Sequence, residues 1–239
     1  MLADVTDDRA RQQPVAAPGS PHGPVKPLAW SVIGLVDRLT VRDWRGTEKL
    51  PGADTGGVIL AVNHISNVDP LVVGTFVARN GLWPRFLAKE SLFGVPLLGA
   101  ALRGIGQIPV HRRSAAARDA LQHAVIALEQ GGCVVIYPEG TITDDPLLWP
   151  MNGRSGAARL ALQTGRPLIP VGQWGAERIL YGKKRGWPRF LPRQRISMLV
   201  GDPVDLSDLR DRPVAEGARL ATERLMDAIT DLVAELRGS

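Results

Sequence analysis

Three short apolar runs constrain this chain most. Gly57-Val-Ile-Leu-Ala-Val62, Cys133-Val-Val-Ile-Tyr137 and Leu168 to Gly172 are almost free of polar residues. A run of that length without polar alternation is what a strand covered on both faces looks like. Helical segments separate them. Asp69 to Asn80 has Pro70 in its first turn and Gly81 after its end. Ser114 can cap a helix that runs to Gln130 and stops at Gly131-Gly132, and Gly156 to Thr164 ends at Gly165. Further strands are read at Val41 to Arg45, Arg85 to Lys89, Gly106 to Val110 and Arg195 to Val200. Val214 to Arg237 reads as a long helix with Ala221, Leu225, Ile229, Leu232 and Leu236 on its apolar stripe. Strands alternating with helices predict an α/β fold, a single domain with a largely parallel central sheet flanked by helices.

With 239 residues the chain has room for one substantial core and a tail. Residues 1–26 are rich in Pro, Gln, Ala and Gly and lack an apolar period, so they read as a disordered tail before a domain at 27–239. Leu28, Val32, Leu35, Val36 and Leu39 then recur at helical spacing. This N-terminal amphipathic helix either packs on the domain or lies in a membrane interface, and its two faces can do both. Residues 92–102 are apolar all round but too short to span a bilayer, so they are buried in protein or dip into lipid. Gly182 to Arg195 reads as an exposed loop. It mixes Trp187 and Phe190 with Lys183, Lys184, Arg185, Arg189, Arg193 and Arg195, and is either an ordinary basic loop or a contact for anionic headgroups.

The net charge of +5 favours an anionic partner such as nucleic acid, an acidic membrane or a phosphorylated small molecule. The basic residues are scattered and form no nucleic-acid reader motif, so nucleic acid is not expected as a partner. Cys133 is the single cysteine, which precludes a disulfide within the chain and reads as a small buried hydrophobe. No His, Cys or Asp spacing suggests a metal site. The polar, acidic start is no signal peptide, and no apolar stretch reaches the ~20 residues of a membrane span.

The focal point is Asn63-His64-Ile-Ser-Asn67-Val-Asp69-Pro70, where a buried strand gives way to a helix. Ligands of open α/β sheets bind at strand ends. His64 suits proton transfer near neutral pH, and a carboxylate on its other ring nitrogen would fix the tautomer. The spacing equally allows a plain reading: His64 as a turn residue and Asp69 as a helix cap. Three further blocks fall beside strands: Gly106-Gln-Ile108-Pro-Val110-His-Arg112, Tyr137-Pro138-Glu139-Gly140-Thr141 and Arg166-Pro167-Leu-Ile-Pro170-Val171.

Together the four blocks resemble the glycerolipid acyltransferase superfamily, in the order that family shows them. They match Asn-His-x-x-x-x-Asp, Gly-x-Ile-x-x-x-Arg, Phe-Pro-Glu-Gly-Thr-Arg-Ser and Pro-x-x-Pro-Val. The resemblance covers residues 57–175, and more loosely the rest of the domain. It implies transfer of a fatty acyl group from acyl-CoA, a co-substrate, to the sn-2 hydroxyl of 1-acyl-glycerol-3-phosphate, with no cofactor. His64 would be the general base and Asp69 its orienting partner. Arg112 would bind the acceptor phosphate, and Glu139, Gly140 and Thr141 would shape the acceptor site. Pro170 belongs to a block tied to the acyl donor or the sheet.

Two departures stand out. Ile142-Thr143 replaces the family's Arg-Ser, so a positive charge is missing there. Arg154, just before a helix whose N-terminus suits an anion, is a candidate replacement, or else a solvated turn residue. Tyr137 stands where Phe is usual, a mild change. The substrates imply a peripheral, monotopic enzyme of phospholipid biosynthesis on the cytoplasmic face of an anionic membrane. Glycerol-3-phosphate or another lysophospholipid as acceptor, and thioester hydrolysis, are the rival activities. Lys89 reads as a surface charge or a phosphate contact, and His22, His111 and His123 as non-catalytic.

Overall fold

The computed structural model describes residues 25–52, 56–110, 116–183 and 186–238. Of the expected tail, residues 1–26, residues 1–24 lie outside them. A seven-stranded sheet carries the domain, in the order β1-β7-β6-β2-β5-β3-β4. The strands are β1 (Thr40–Arg45), β2 (Val58–Val62), β3 (Pro84–Lys89), β4 (Ile108–Val110), β5 (Cys133–Ile136), β6 (Leu168–Trp174) and β7 (Gln194–Val200). From β6 across to β4 every pairing is parallel, β7 runs antiparallel to β6, and β1 is parallel to β7. The largely parallel sheet expected from the sequence is therefore present.

Among the described residues seven α-helices accompany the sheet: α1 (Val25–Leu39), α2 (Asp69–Arg79), α3 (Leu98–Gly104), α4 (Ala116–Glu129), α5 (Gly156–Thr164), α6 (Ala176–Ile179) and α7 (Val214–Gly238). β2 shows why its residues had to be apolar. Val58, Leu60 and Val62 face one layer with Val72, Phe76 and Val77 of α2, while Ile59 and Ala61 face the other with Leu128 of α4, Leu160 of α5 and Ile229 of α7. Each large side chain so buried contributes about 1.5–3 kcal/mol.

Three details depart from the sequence reading. α1 spans Val25–Leu39, and the Val25 side chain lies against Gly104 of α3. Its inward face is Ile33 and Val36, whereas Leu28, Val32 and Leu35 of the expected stripe stay exposed. Residues 92–102, expected to be buried in protein or to dip into lipid, are buried only in part. Phe93 and Gly99 turn inward, and Leu92, Val95, Leu97 and Leu98 are exposed, Leu97 at 88%. Gly99 is needed there, because a Cβ would stand 2.0 Å from the Phe93 carbonyl oxygen. On α7, Val233 is buried and Leu232 only partly so.

Candidate active site

β2, β5 and β6 are adjacent and parallel, so their C-terminal ends share one edge of the sheet. His64 lies two residues past the end of β2, and Glu139 three past the end of β5. Asn63 and Gln173, at the ends of β2 and β6, lock this edge. Asn63 Nδ2 donates to the Gln173 carbonyl at 3.1 Å, the Gln173 N–H donates to Asn63 Oδ1 at 2.8 Å, and Gln173 Nε2 donates to the Asn63 carbonyl at 2.8 Å. Both residues are fully buried.

His64 Nδ1 is 2.7 Å from Asp69 Oδ2. Asp69 is the first residue of α2, not the cap before it, and Val68 takes the cap position. Its carboxylate looks back along the chain: Oδ2 also accepts the N–H groups of Ile65 at 2.7 Å and Ser66 at 2.9 Å. The plain cap reading is thereby corrected, since the carboxylate serves the residues upstream of its helix. An ionised carboxylate only accepts, so the proton sits on Nδ1 and Nε2 is left as the basic nitrogen. Burial pushes the Asp69 carboxyl above its ordinary range, opposed by the bonds from His64, Ser66 and Ile65. The His64 side chain is 16% exposed and that of Asp69 is 0%.

The loop after β5 holds His64 from the other side. Glu139 Oε1 accepts the His64 N–H at 2.8 Å, and Oε2 accepts the Met151 N–H at 3.0 Å. The Thr143 N–H donates to the His64 carbonyl at 2.8 Å. Burial raises the Glu139 carboxyl, against the pull of these N–H groups. Gly140 has φ +71°, and a Cβ there would meet Arg154 Nε at 2.8 Å, so the arginine lies across the glycine. The Arg154 N–H also donates to the Pro138 carbonyl at 2.8 Å. Thr141 is half-buried beside Gly140. Ile142, in the place of the family's arginine, is buried.

His64, Asp69, Glu139, Gly140 and Arg154 thus come together, while Arg112 and His111 lie outside the described residues. Lys89 and His123 are exposed, on β3 and α4. Among the described residues no group of three His, Cys, Asp or Glu is placed to hold a metal ion. A cleft of about 780 Å³ lies elsewhere, lined by Lys49, Asp202, Asp205, Asp208, Arg224 and Glu235 among others. It contains none of these site residues, and its carboxylates suit an anionic ligand poorly.

The sequence reading gave no role to two contributors. Gln173 carries no local signal, because its partner is 110 residues away. Tyr137 stacks on the His64 ring, with centroids 4.1 Å apart and planes 17° off parallel.

Comparison with known proteins gives the family. The family model described as Acyltransferase matches residues 41–174. The chloroplastic 1-acyl-sn-glycerol-3-phosphate acyltransferase BAT2 of Brassica napus is 30% identical over 68% of this chain and 44% of its own length. A 1-acyl-sn-glycerol-3-phosphate acyltransferase of Bacillus subtilis is 28% identical over 77% of this chain and 84% of its own. The chain spans under half the length of the plant relatives it matches. The crystal structure of the 1-acyl-sn-glycerophosphate acyltransferase PlsC from Thermotoga maritima superposes with a TM-score of 0.67 at 23% identity. It covers 90% of this chain and 82% of that one, and has the same fold. With the family model spanning more than half its length, the chain belongs to the acyltransferase family.

Proposed function

We propose that the chain transfers a fatty acyl group from acyl-CoA to the sn-2 hydroxyl of 1-acyl-glycerol-3-phosphate, forming phosphatidic acid. The observation that carries this reading is the His64 Nδ1 to Asp69 Oδ2 contact of 2.7 Å at the shared strand edge. The names of the relatives support the acceptor.

In this reading His64 Nε2 takes the acceptor hydroxyl proton as the oxygen attacks the thioester carbonyl, and Asp69 steadies the imidazolium. The C–O bond forms, the C–S bond breaks, and the proton returns from His64 to the departing thiolate. The N–H groups of His64, Ile65, Ser66 and Gly140 are already given to Glu139, Asp69 and the Tyr137 carbonyl. The donors for the tetrahedral oxyanion therefore fall to neighbours in the same loops, such as Thr141. Arg154 faces the acceptor phosphate beside the N-terminus of α5, with Arg112 assigned the same role on the motif alone.

The enzyme works at an anionic membrane surface, on the cytoplasmic face. No helix among the described residues is long and apolar enough to cross a membrane. The exposed Leu28, Val32 and Leu35 of α1 are the docking face, with Leu92, Val95, Leu97 and Leu98 adding apolar surface. α1 and α3 adjoin through Val25 and Gly104.

The test is CoA release from acyl-CoA with and without lysophosphatidate, for the parent and His64→Ala. Acceptor-dependent release that falls at least a thousandfold in His64→Ala, with the fold retained, is the expected result. Substantial turnover in the variant sinks the assignment of His64. Release without acceptor favours hydrolysis.

A further inference from the structure

Three near-parallel rings from three neighbouring strands meet at the site. Tyr137 follows β5 and lies between His64, at 4.1 Å and 17°, and Phe86 of β3, at 5.9 Å and 16°. Phe86 pairs with Val135 across the sheet, and alternation puts Tyr137 on the face of Val135. The stack is therefore set by strand register. Asp69 holds the His64 ring by its Nδ1 edge, which leaves the ring free to tilt about that hydrogen bond. Tyr137 covers the face and removes that freedom.

The same contact has an electrostatic consequence. The face of a phenol ring is electron-rich and attracts a cation lying over it, by about 0.5–2 kcal/mol depending on desolvation. An imidazole becomes a cation when it takes a proton. The titratable groups around this ring are Asp69 from α2, Glu139 from the loop after β5 and Tyr137 itself, with Asp69 in turn raising the Glu177 carboxyl of α6. Tyr137 is the only one of them placed against the ring face. Its hydroxyl is buried and has no hydrogen-bond partner among the described residues, a cost that the ring's packing has to offset.

We propose that Tyr137 is a positioning residue for the reaction. Its ring fixes the plane of His64 and stabilises the imidazolium that forms as the acceptor hydroxyl gives up its proton. The proposal rests on His64 acting as the base. The ring, not the hydroxyl, carries the effect, so Phe is expected to replace Tyr137 and an aliphatic residue is not.

The experiment compares the parent with Tyr137→Phe and Tyr137→Leu in two measurements. The first is acyl transfer from acyl-CoA to lysophosphatidate across pH. Tyr137→Leu is expected to lower kcat about 3–30-fold, the span of such a ring–cation contact, with acceptor KM within twofold. The acid limb of kcat/KM moves to lower pH, because a less stabilised imidazolium gives up its proton sooner. Tyr137→Phe keeps kcat within about threefold and leaves the limb in place. The second measurement is an NMR titration of the His64 ring without substrate, assigned by the signal lost in His64→Ala. Its midpoint falls in Tyr137→Leu and not in Tyr137→Phe. An unmoved midpoint in the Leu variant overturns the inference, whatever the turnover. A moved midpoint in a protein that shows no acyl transfer sustains the inference and removes the functional reading instead. If Tyr137→Leu does not fold, Tyr137→Met fills a similar space without a π face and decides the question in the same way.

Discussion

Glu139 and His64 are joined through the backbone: the His64 N–H donates to Glu139 Oε1 at 2.8 Å, while Glu139 Oε2 takes the Met151 N–H at 3.0 Å. One carboxylate thus ties the loop after β2 to the loop after β5. Glu139→Gln keeps the shape but offers one acceptor where two are needed. One buried N–H is left facing an NH2 group, at a cost of about 1–3 kcal/mol. We expect a lower melting temperature and a loss of kcat exceeding any change in KM.

The pH dependence of that variant has a definite sign. Burial raises the folded Glu139 carboxyl above its unfolded value, which is about 4.3. Its contribution to stability is therefore fully present below that unfolded value and is lost as pH rises through the folded one. The margin between the parent and Glu139→Gln in thermal melts should be larger at pH 5 than at pH 8. Equal margins would show that the carboxyl is not raised.

Asp69→Asn tests the carboxylate charge and the His64 tautomer together. One oxygen, Oδ2, takes all three bonds, from His64 Nδ1, Ile65 and Ser66. An amide oxygen in that place keeps the three bonds but not the charge that steadies the imidazolium, whereas an NH2 group there faces the Ile65 and Ser66 N–H groups and reverses the His64 tautomer. In either orientation we expect kcat to fall, by up to the ~10⁴ that such an exchange costs in a hydrolase triad. A variant within tenfold of the parent would mean that Asp69 only shapes the turn.

Arg154 lies across Gly140 and is exposed. Arg154→Ala is expected to raise the acceptor KM about 10–100-fold, the value of a charge-assisted hydrogen bond to phosphate. kcat should hold, and so should activity toward an acceptor lacking phosphate. Equal losses toward both acceptors would place Arg154 in the scaffold of the Gly140 turn instead.

Cys133 is buried in β5, and burial pushes its thiol far above the ordinary range. A thiol reagent at pH 8 should find no reactive cysteine in the native protein and one per chain after denaturation. Rapid native labelling would contradict the packing of β5 between the two helical layers.

The legible parts of the molecule are those where neighbouring residues determine one another. α5 runs from Gly156 to Thr164 as read, because Gly165 in the left-handed conformation ends it. β2 was readable because both its faces are covered. The site was only half legible. Four residues separate His64 from Asp69, but whether the carboxylate caps its own helix or turns back depends on the loop between them. The Asn63–Gln173 lock and the Tyr137 stack depend on which strands lie side by side, which short-range patterns do not encode. α1 misled for a related reason: with apolar residues on more than one face, periodicity does not say which face the domain takes.

That uncovered face of α1 yields the last prediction. Leu28 is 58% exposed and Leu35 55%, and with Val32 they line up at helical spacing. In the rival contact, residues 182–195, some charges of the described residues are already committed. Lys183 pairs with Asp144, and Arg193 donates to the carbonyls of Asp37 and Thr40. Its Trp187 is nevertheless 93% exposed, so the loop can add to binding. Burying a leucine side chain is worth about 1.5–3 kcal/mol, against about 1 kcal/mol for a basic residue at an anionic surface. Leu28→Ser with Leu35→Ser should therefore weaken flotation with phosphatidylglycerol vesicles about a hundredfold. Lys183→Ala with Arg189→Ala should weaken it tenfold or less. The reverse order would move the membrane contact from α1 to the loop.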